Sequence, residues 1–210
     1  MEKRAILEEK LNSYTHGMGM LLSLIAVYLL LNSVSLLGDN LKLISGVIYG
    51  VSLVALFSSS TIYHSITKQD LKQFFRKIDH SCIFIKIAGS YTPFALITLN
   101  GVFGWTLFSI VWLIALSGIV MKFLFIHKME KLSLVLYLIM GWLSLTSIKQ
   151  IAETISMEGT ILLIAGGLFY SVGAIFYAMK KMPYSHPIWH LFVLAGSACH
   201  FFSIMNYVLV

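Results

Sequence analysis

Of 210 residues, 58% are hydrophobic and only 11% charged, against about 25% charged in soluble domains, which excludes a soluble globular chain and indicates a membrane protein. The net charge of +6 would suit a nucleic-acid binder, or a membrane protein whose basic residues mark one face; their distribution, given below, favours the second. The two cysteines, Cys82 and Cys199, lie inside apolar runs and read as small buried side chains, not as a disulfide framework.

Apolar runs of about 17–25 residues, long enough to cross a bilayer, fall at approximately 14–35, 43–63, 79–99, 103–125, 132–149, 160–179 and 187–208. A charged leader, MEKRAILEEKLN, precedes the first run, which exceeds the 7–15 residues or so of a signal-peptide core and reads as a retained helix. Gly17 and Gly19 within it are expected to allow close helix packing. Turn chemistry punctuates the joints: LGDN after the first run, LNGVFG after the third, MEGT before the sixth and KKMPYSHP before the seventh. Tyr91, Thr92 and Pro93 predict a kink in the third run, because proline removes a backbone hydrogen bond. The expected fold is all-α, one seven-transmembrane-helix domain over residues 1–210, since lipid tolerates only helices or closed barrels and these runs are too long for barrel strands.

Lysine and arginine alternate between connections. The leader and the second-to-third, fourth-to-fifth and sixth-to-seventh links hold twelve of them, Lys122 and Lys128 included, while the other links hold only Lys42 and Lys149, and Lys86 lies within a span. The expected topology is therefore N-terminus cytoplasmic and C-terminus outside. The basic charge is then accounted for by topology, and no nucleic-acid partner is expected.

The polar residues in or beside the spans gather at the end facing the leader. His64 closes the second run, Asp79 and His80 open the third, His186 and His190 open the seventh, and Glu9, Asn12, Thr15 and His16 lie where the first begins. Residues four apart share a helix face, so His186 and His190 can meet at one point, and Ser60 and His64 stand in the same relation. Three imidazoles from two helices can hold Zn²⁺ with a fourth position open to water, as catalytic zinc sites do. Asp79 is expected to hydrogen-bond that water or a ligating ring, with Ser60 beside it. The competing reading of any single histidine at a helix end is an interfacial residue, and His127 is read that way.

These residues also carry a resemblance. EEKLNSYTH, SSSTIYH, KIDH followed by IAGSYTPF, and SHPIWH followed by ACHFF together resemble the hemolysin III family, the bacterial branch of the progestin and adiponectin receptor membrane proteins, from about Glu9 to Asn206. The resemblance implies a seven-helix bundle in the bacterial plasma membrane with zinc near its cytoplasmic face, His64, His186 and His190 as ligands, and Asp79 and Ser60 at the bound water. The wider superfamily includes alkaline ceramidases, so a zinc-dependent hydrolase of a lipid amide or ester is the leading expectation, with membrane lipids as partners. A receptor-like regulator with a structural zinc is the alternative. A proton relay finds no continuous path in the outer half, and a retinal protein would need a lysine in the last span. Lys86 departs from the family pattern, which has an apolar residue there, and is expected to line a cavity. His200, about 15 Å along the helix from His190 at 1.5 Å per residue, is too deep for the same metal and is expected to bond another helix; His16 and His80 are expected to be supporting residues.

Overall fold

In the computed structural model, which describes residues 2–125 and 130–210, and for Glu2 and Lys131 the backbone alone, seven helical segments are long and apolar enough to cross a membrane. In chain order the helices are α1 (Glu2–Ser35), α2 (Asn40–Ser65), α3 (Gln69–Pro93, running on as a π-helical turn Phe94–Leu99), α4 (Gly101–Phe125), α5 (Glu130–Trp142), α6 (Ile148–Thr154), α7 (Met157–Ala178) and α8 (Ser185–Tyr207). A 3₁₀ turn, Leu143–Ser147, joins α5 to α6, and the two together make one crossing, Leu132–Thr154. His127 and Lys128 lie outside the described residues.

Several helices outrun the apolar stretches that announce them. The charged leader is helical from Glu2 because Ala, Leu, Glu, Lys and Arg are all strong helix formers, and Arg4 and Glu8 pair one turn apart at 3.7 Å. α3 starts at Gln69, ten residues before its apolar run, since QDLKQFFRKI contains no breaker. Lys122, counted above with a connection, sits inside α4 and is only 1% exposed; apolar patterning cannot distinguish the last turn of a helix from the loop after it.

The stops have local causes. Asp39 caps α2, accepting from the N–H groups of Leu41 and Lys42 at 2.9 and 3.1 Å. The α3–α4 turn holds both Asn100 (φ 42°) and Gly101 (φ 53°) in the left-handed region, where glycine and asparagine are tolerated best. Pro93 ends the α-helical part of α3 and the next six residues widen into the π turn, the local distortion that the TP step predicts.

α3 is the axis of the bundle, 78% buried over its most apolar stretch against 22% for α1. Lipid tails are as apolar as leucine, so close approach, not water exclusion, holds such helices together. A Cβ on Gly118 would lie 2.4 Å from the Phe84 ring, and one on Gly89 would lie 2.3 Å from Ser52 Oγ. Gly19 is similar, its absent Cβ falling 2.5 Å from Phe57, whereas Gly17 has ordinary clearance, 3.7 Å to Thr61.

Candidate metal centre

His64 occupies the last turn of α2, and His186 and His190 the first two turns of α8. One ring nitrogen from each falls within 4.8 Å of the others, and the ring centroids form a near-equilateral triangle of 5.1, 5.2 and 4.7 Å. The start of α8 is set by its sequence. Pro187 sits in the first turn, where a missing N–H has no intrahelical partner to lose. Tyr184, just before it, is held at φ 59°, a conformation that costs a non-glycine residue about 1–2 kcal/mol. Its N–H donates to a Glu8 carboxylate oxygen at 2.8 Å, fixing the α7–α8 connection against α1.

α1 also orients the rings. His190 Nδ1 lies 3.2 Å from the Asn12 carbonyl and 3.1 Å from Thr15 Oγ1. The Thr15 hydroxyl itself donates to the Leu11 carbonyl, so both neighbours accept from the ring. That assigns the proton of His190 to Nδ1 and leaves Nε2 as a lone pair. His64 Nδ1 lies 3.3 Å from Glu9 Oε2 and 3.4 Å from the Asn12 side-chain amide. His64 Nε2 is buried and unpartnered. Two rings with Nδ1 bonded to backbone or carboxylate oxygen and Nε2 free form the donor set of histidine–metal sites. These residues therefore fit a metal ion, which would satisfy a nitrogen that no other group among the described residues reaches. Lys72 donates to the same Glu9 oxygen at 2.5 Å, balancing its charge.

Behind His190 stacks His16, centroids 3.5 Å apart and planes within 11°, its far side edge-on to Phe57 at 5.1 Å. His16 backs the cluster as a packing partner. His80 is bonded elsewhere: its Nδ1 accepts from Lys122 at 3.2 Å, and its carbonyl accepts from Tyr137 Oη at 2.8 Å.

A cavity of about 110 Å³ opens beside the cluster, walled largely by apolar side chains. His186 and His190 form part of its wall, as do Asp79 and Ser60. Lys86 and His200 line it further in. His200 Nε2 donates to the Leu163 carbonyl on α7 at 3.2 Å, the interhelical bond expected of it. Sequence reasoning brought Glu9, Asn12 and Thr15 to the right end but not to the rings. The signal was their i, i+3, i+6 spacing, which lines one stripe of α1.

A family model described as haemolysin-III related matches residues 4–201. The chain belongs to that family. It is 46% identical over 202 residues to Hemolysin-3 of Bacillus cereus, spanning 96% of this chain and 92% of that one. It is equally identical to the Hemolysin-3 homolog of Bacillus subtilis (strain 168), covering 95% of it. At greater distance it is similar to the human Monocyte to macrophage differentiation factor, 30% identical over 207 residues and covering 84% of that protein. The bacterial relatives and the seven apolar helices together support a bacterial membrane location.

Proposed function

We propose that this haemolysin-III protein is a zinc-dependent hydrolase of a lipid amide or ester, related through the wider superfamily to the progestin and adiponectin receptors, and acting on membrane lipid state. The observation that carries this reading is a cluster of three convergent imidazoles, two of which, His186 and His190, stand in the wall of an apolar cavity that Asp79 and Ser60 also line. His64, His186 and His190 would hold the ion. Zinc bound there supplies Lewis acidity toward a carbonyl and an acidified water. The protein's own part is positional and acid–base. The apolar walls take the acyl chain and exclude bulk water. Asp79 accepts the proton released as water adds to the carbonyl and returns it to the leaving nitrogen or oxygen, and the Ser60 hydroxyl keeps that carboxylate oriented. The alternation of lysine and arginine supports a single seven-helix domain with a cytoplasmic N-terminus and the site near that face; alkaline-phosphatase fusions to the 36–39 and 179–184 connections test it, the first expected active and the second inactive.

Purified protein is expected to carry about one zinc and to turn over at least one member of a ceramide, N-acyl amino acid and lysophospholipid panel. Asp79→Asn should retain zinc and lose turnover. Wild-type protein loaded with zinc but inert on the whole panel would overturn the hydrolase.

That outcome would favour a receptor-like regulator with a structural zinc, for which one feature speaks directly. α1 packs against both α2 and α8, and the imidazole cluster joins α2 to α8 across the end of that sandwich. An ion there is a brace, and its loss should then lower the melting temperature without any change in lipid composition.

A further inference from the structure

A second polar island lies deeper in the same cavity, in the membrane interior. Lys86 is 4% exposed. Its Nζ contacts the Tyr170 hydroxyl and stands 4.2 Å from that ring's centroid. Tyr170 Oη in turn lies 2.9 Å from Ser197 Oγ. Beside them His200 spends Nε2–H on the Leu163 carbonyl, and its Nδ1 is buried without a partner. None of the ion pairs formed among the described residues includes Lys86. Asp79, seven residues earlier on α3, is about 10 Å away along the helix at 1.5 Å per residue.

The surrounding backbone is shaped for this cluster. A Cβ on Gly166 of α7 would lie 2.2 Å from His200 Cδ2, and one on Gly196 of α8 would lie 2.9 Å from Tyr170 Cζ. Each helix thus carries a notch that admits the other's ring, and any side chain at either position would expel it. An ammonium taken from water without a counter-ion loses several kcal/mol of solvation, and a phenol hydroxyl and ring face return only part of that. Intramembrane cations pair with anions or line water-filled paths.

We propose that the counter-ion is supplied by a ligand, and that the Lys86–Tyr170–Ser197–His200 cluster is a binding site for the carboxyl group of a long-chain acid. One cation and a cavity of about 110 Å³ suit a single, planar negative charge and not a phosphate, which would need more donors. The chain of the acid lies along apolar wall residues such as Ile83, Trp189 and Val193. The acid arrives neutral from the bilayer, its O–H proton passes to His200 Nδ1, the unpartnered nitrogen of the cluster, and the carboxylate remains beside the Lys86 ammonium, accepting also from a hydroxyl of the pair Tyr170 and Ser197. The site depends on neither the metal nor hydrolysis.

Trp142 and Trp189 line the cavity, whereas Trp105 is half exposed on the outside of the bundle and reports acids dissolved in lipid. Tryptophan quenching in nanodiscs by 10-bromodecanoate and by 10-bromodecanol therefore separates cavity binding, which saturates, from partitioning, which does not. Wild-type protein is expected to show a saturable step with the acid at least tenfold tighter than with the alcohol, and Lys86→Met to abolish that preference. A strictly linear response to the acid, or equal affinity for acid and alcohol in the wild type, would overturn the proposal whether or not the variant folds; an undiminished preference in a folded Lys86→Met protein would do so too.

Discussion

The two polar islands of this bundle are built on opposite plans. At the histidine end the functional atoms are lone pairs, and their geometry is imposed from a third helix: α1 lends Glu9, Asn12 and Thr15 to rings carried by α2 and α8. At the Lys86 end the partners are side chains of α7 and α8 that reach one another because glycines face them. The first island is a nitrogen-rich socket suited to a cation. The second is a lone cation suited to an anion. Chemical complementarity to a partner is thus opposite at the two islands, whose His190 and His200 stand about 15 Å apart along α8 at 1.5 Å per residue, and this gives the cavity a polarity along its length.

The contrast can be broken most forcefully at the socket. Replacing His64, His186 and His190 together with alanine should abolish stoichiometric zinc, as read by elemental analysis. Glu9→Gln keeps the shape but weakens the acceptor for His64 Nδ1–H, and zinc affinity measured by chelator competition should fall about 10–100-fold, as for other outer-shell partners. If Glu9→Gln binds zinc like the wild type, the ring is not oriented from α1.

At the deeper island the expectation reverses. Lys86→Met replaces a buried, acid-free cation with an apolar side chain of similar length, and thermal unfolding in detergent should show unchanged or raised stability, by up to about 1–4 kcal/mol by analogy with buried charges exchanged for packed apolar groups. Gly166→Ala, by contrast, drives a methyl into His200 and should cost about 1–3 kcal/mol as overpacking does. Equal destabilisation by both changes would mean that Lys86 is structural.

How much of this was legible beforehand follows the physics of each signal. Seven spans were readable because a bilayer demands about twenty apolar residues per crossing, while the charged extensions of α1 and α3 were not, because helix propensity continues past the point where hydropathy falls. The convergence of His186 and His190 followed from four-residue spacing, and His64 from its matching depth. The stacking of His16 on His190 could not be foreseen, since spacing within one helix fixes a face but not which neighbour it meets. Nor could the pairing of Lys86 with Tyr170: they are 84 positions apart, and only the folded bundle brings them together across the cavity they line.

The smallest effect expected lies outside both islands. Glu130 accepts from Lys180 at 2.5 Å and from Arg76, tying the start of α5 to α3 and to the α7–α8 connection. The Lys180 hydrogen bond is the main reason that its carboxyl titrates below the usual glutamate range, with Arg76 adding to it. A lowered folded-state value means that the native protein binds fewer protons than the unfolded chain in mildly acid solution. The stabilisation is complete above the ordinary glutamate value and is lost as pH falls through it toward the folded value. Melting temperatures from pH 6 to 3.5 should therefore fall less steeply for Glu130→Gln than for wild type, by a small margin because the pair is largely solvated.

The most direct measurement is X-ray absorption at the zinc edge on purified, metal-quantified protein, with the triple-histidine variant beside it. About one zinc per chain, coordinated mainly by imidazole nitrogen near 2.0–2.1 Å and lost in the variant, is the expected result. Wild-type protein without bound metal, or zinc retained in equal amount after all three rings are removed, would contradict the histidine cluster as the metal site.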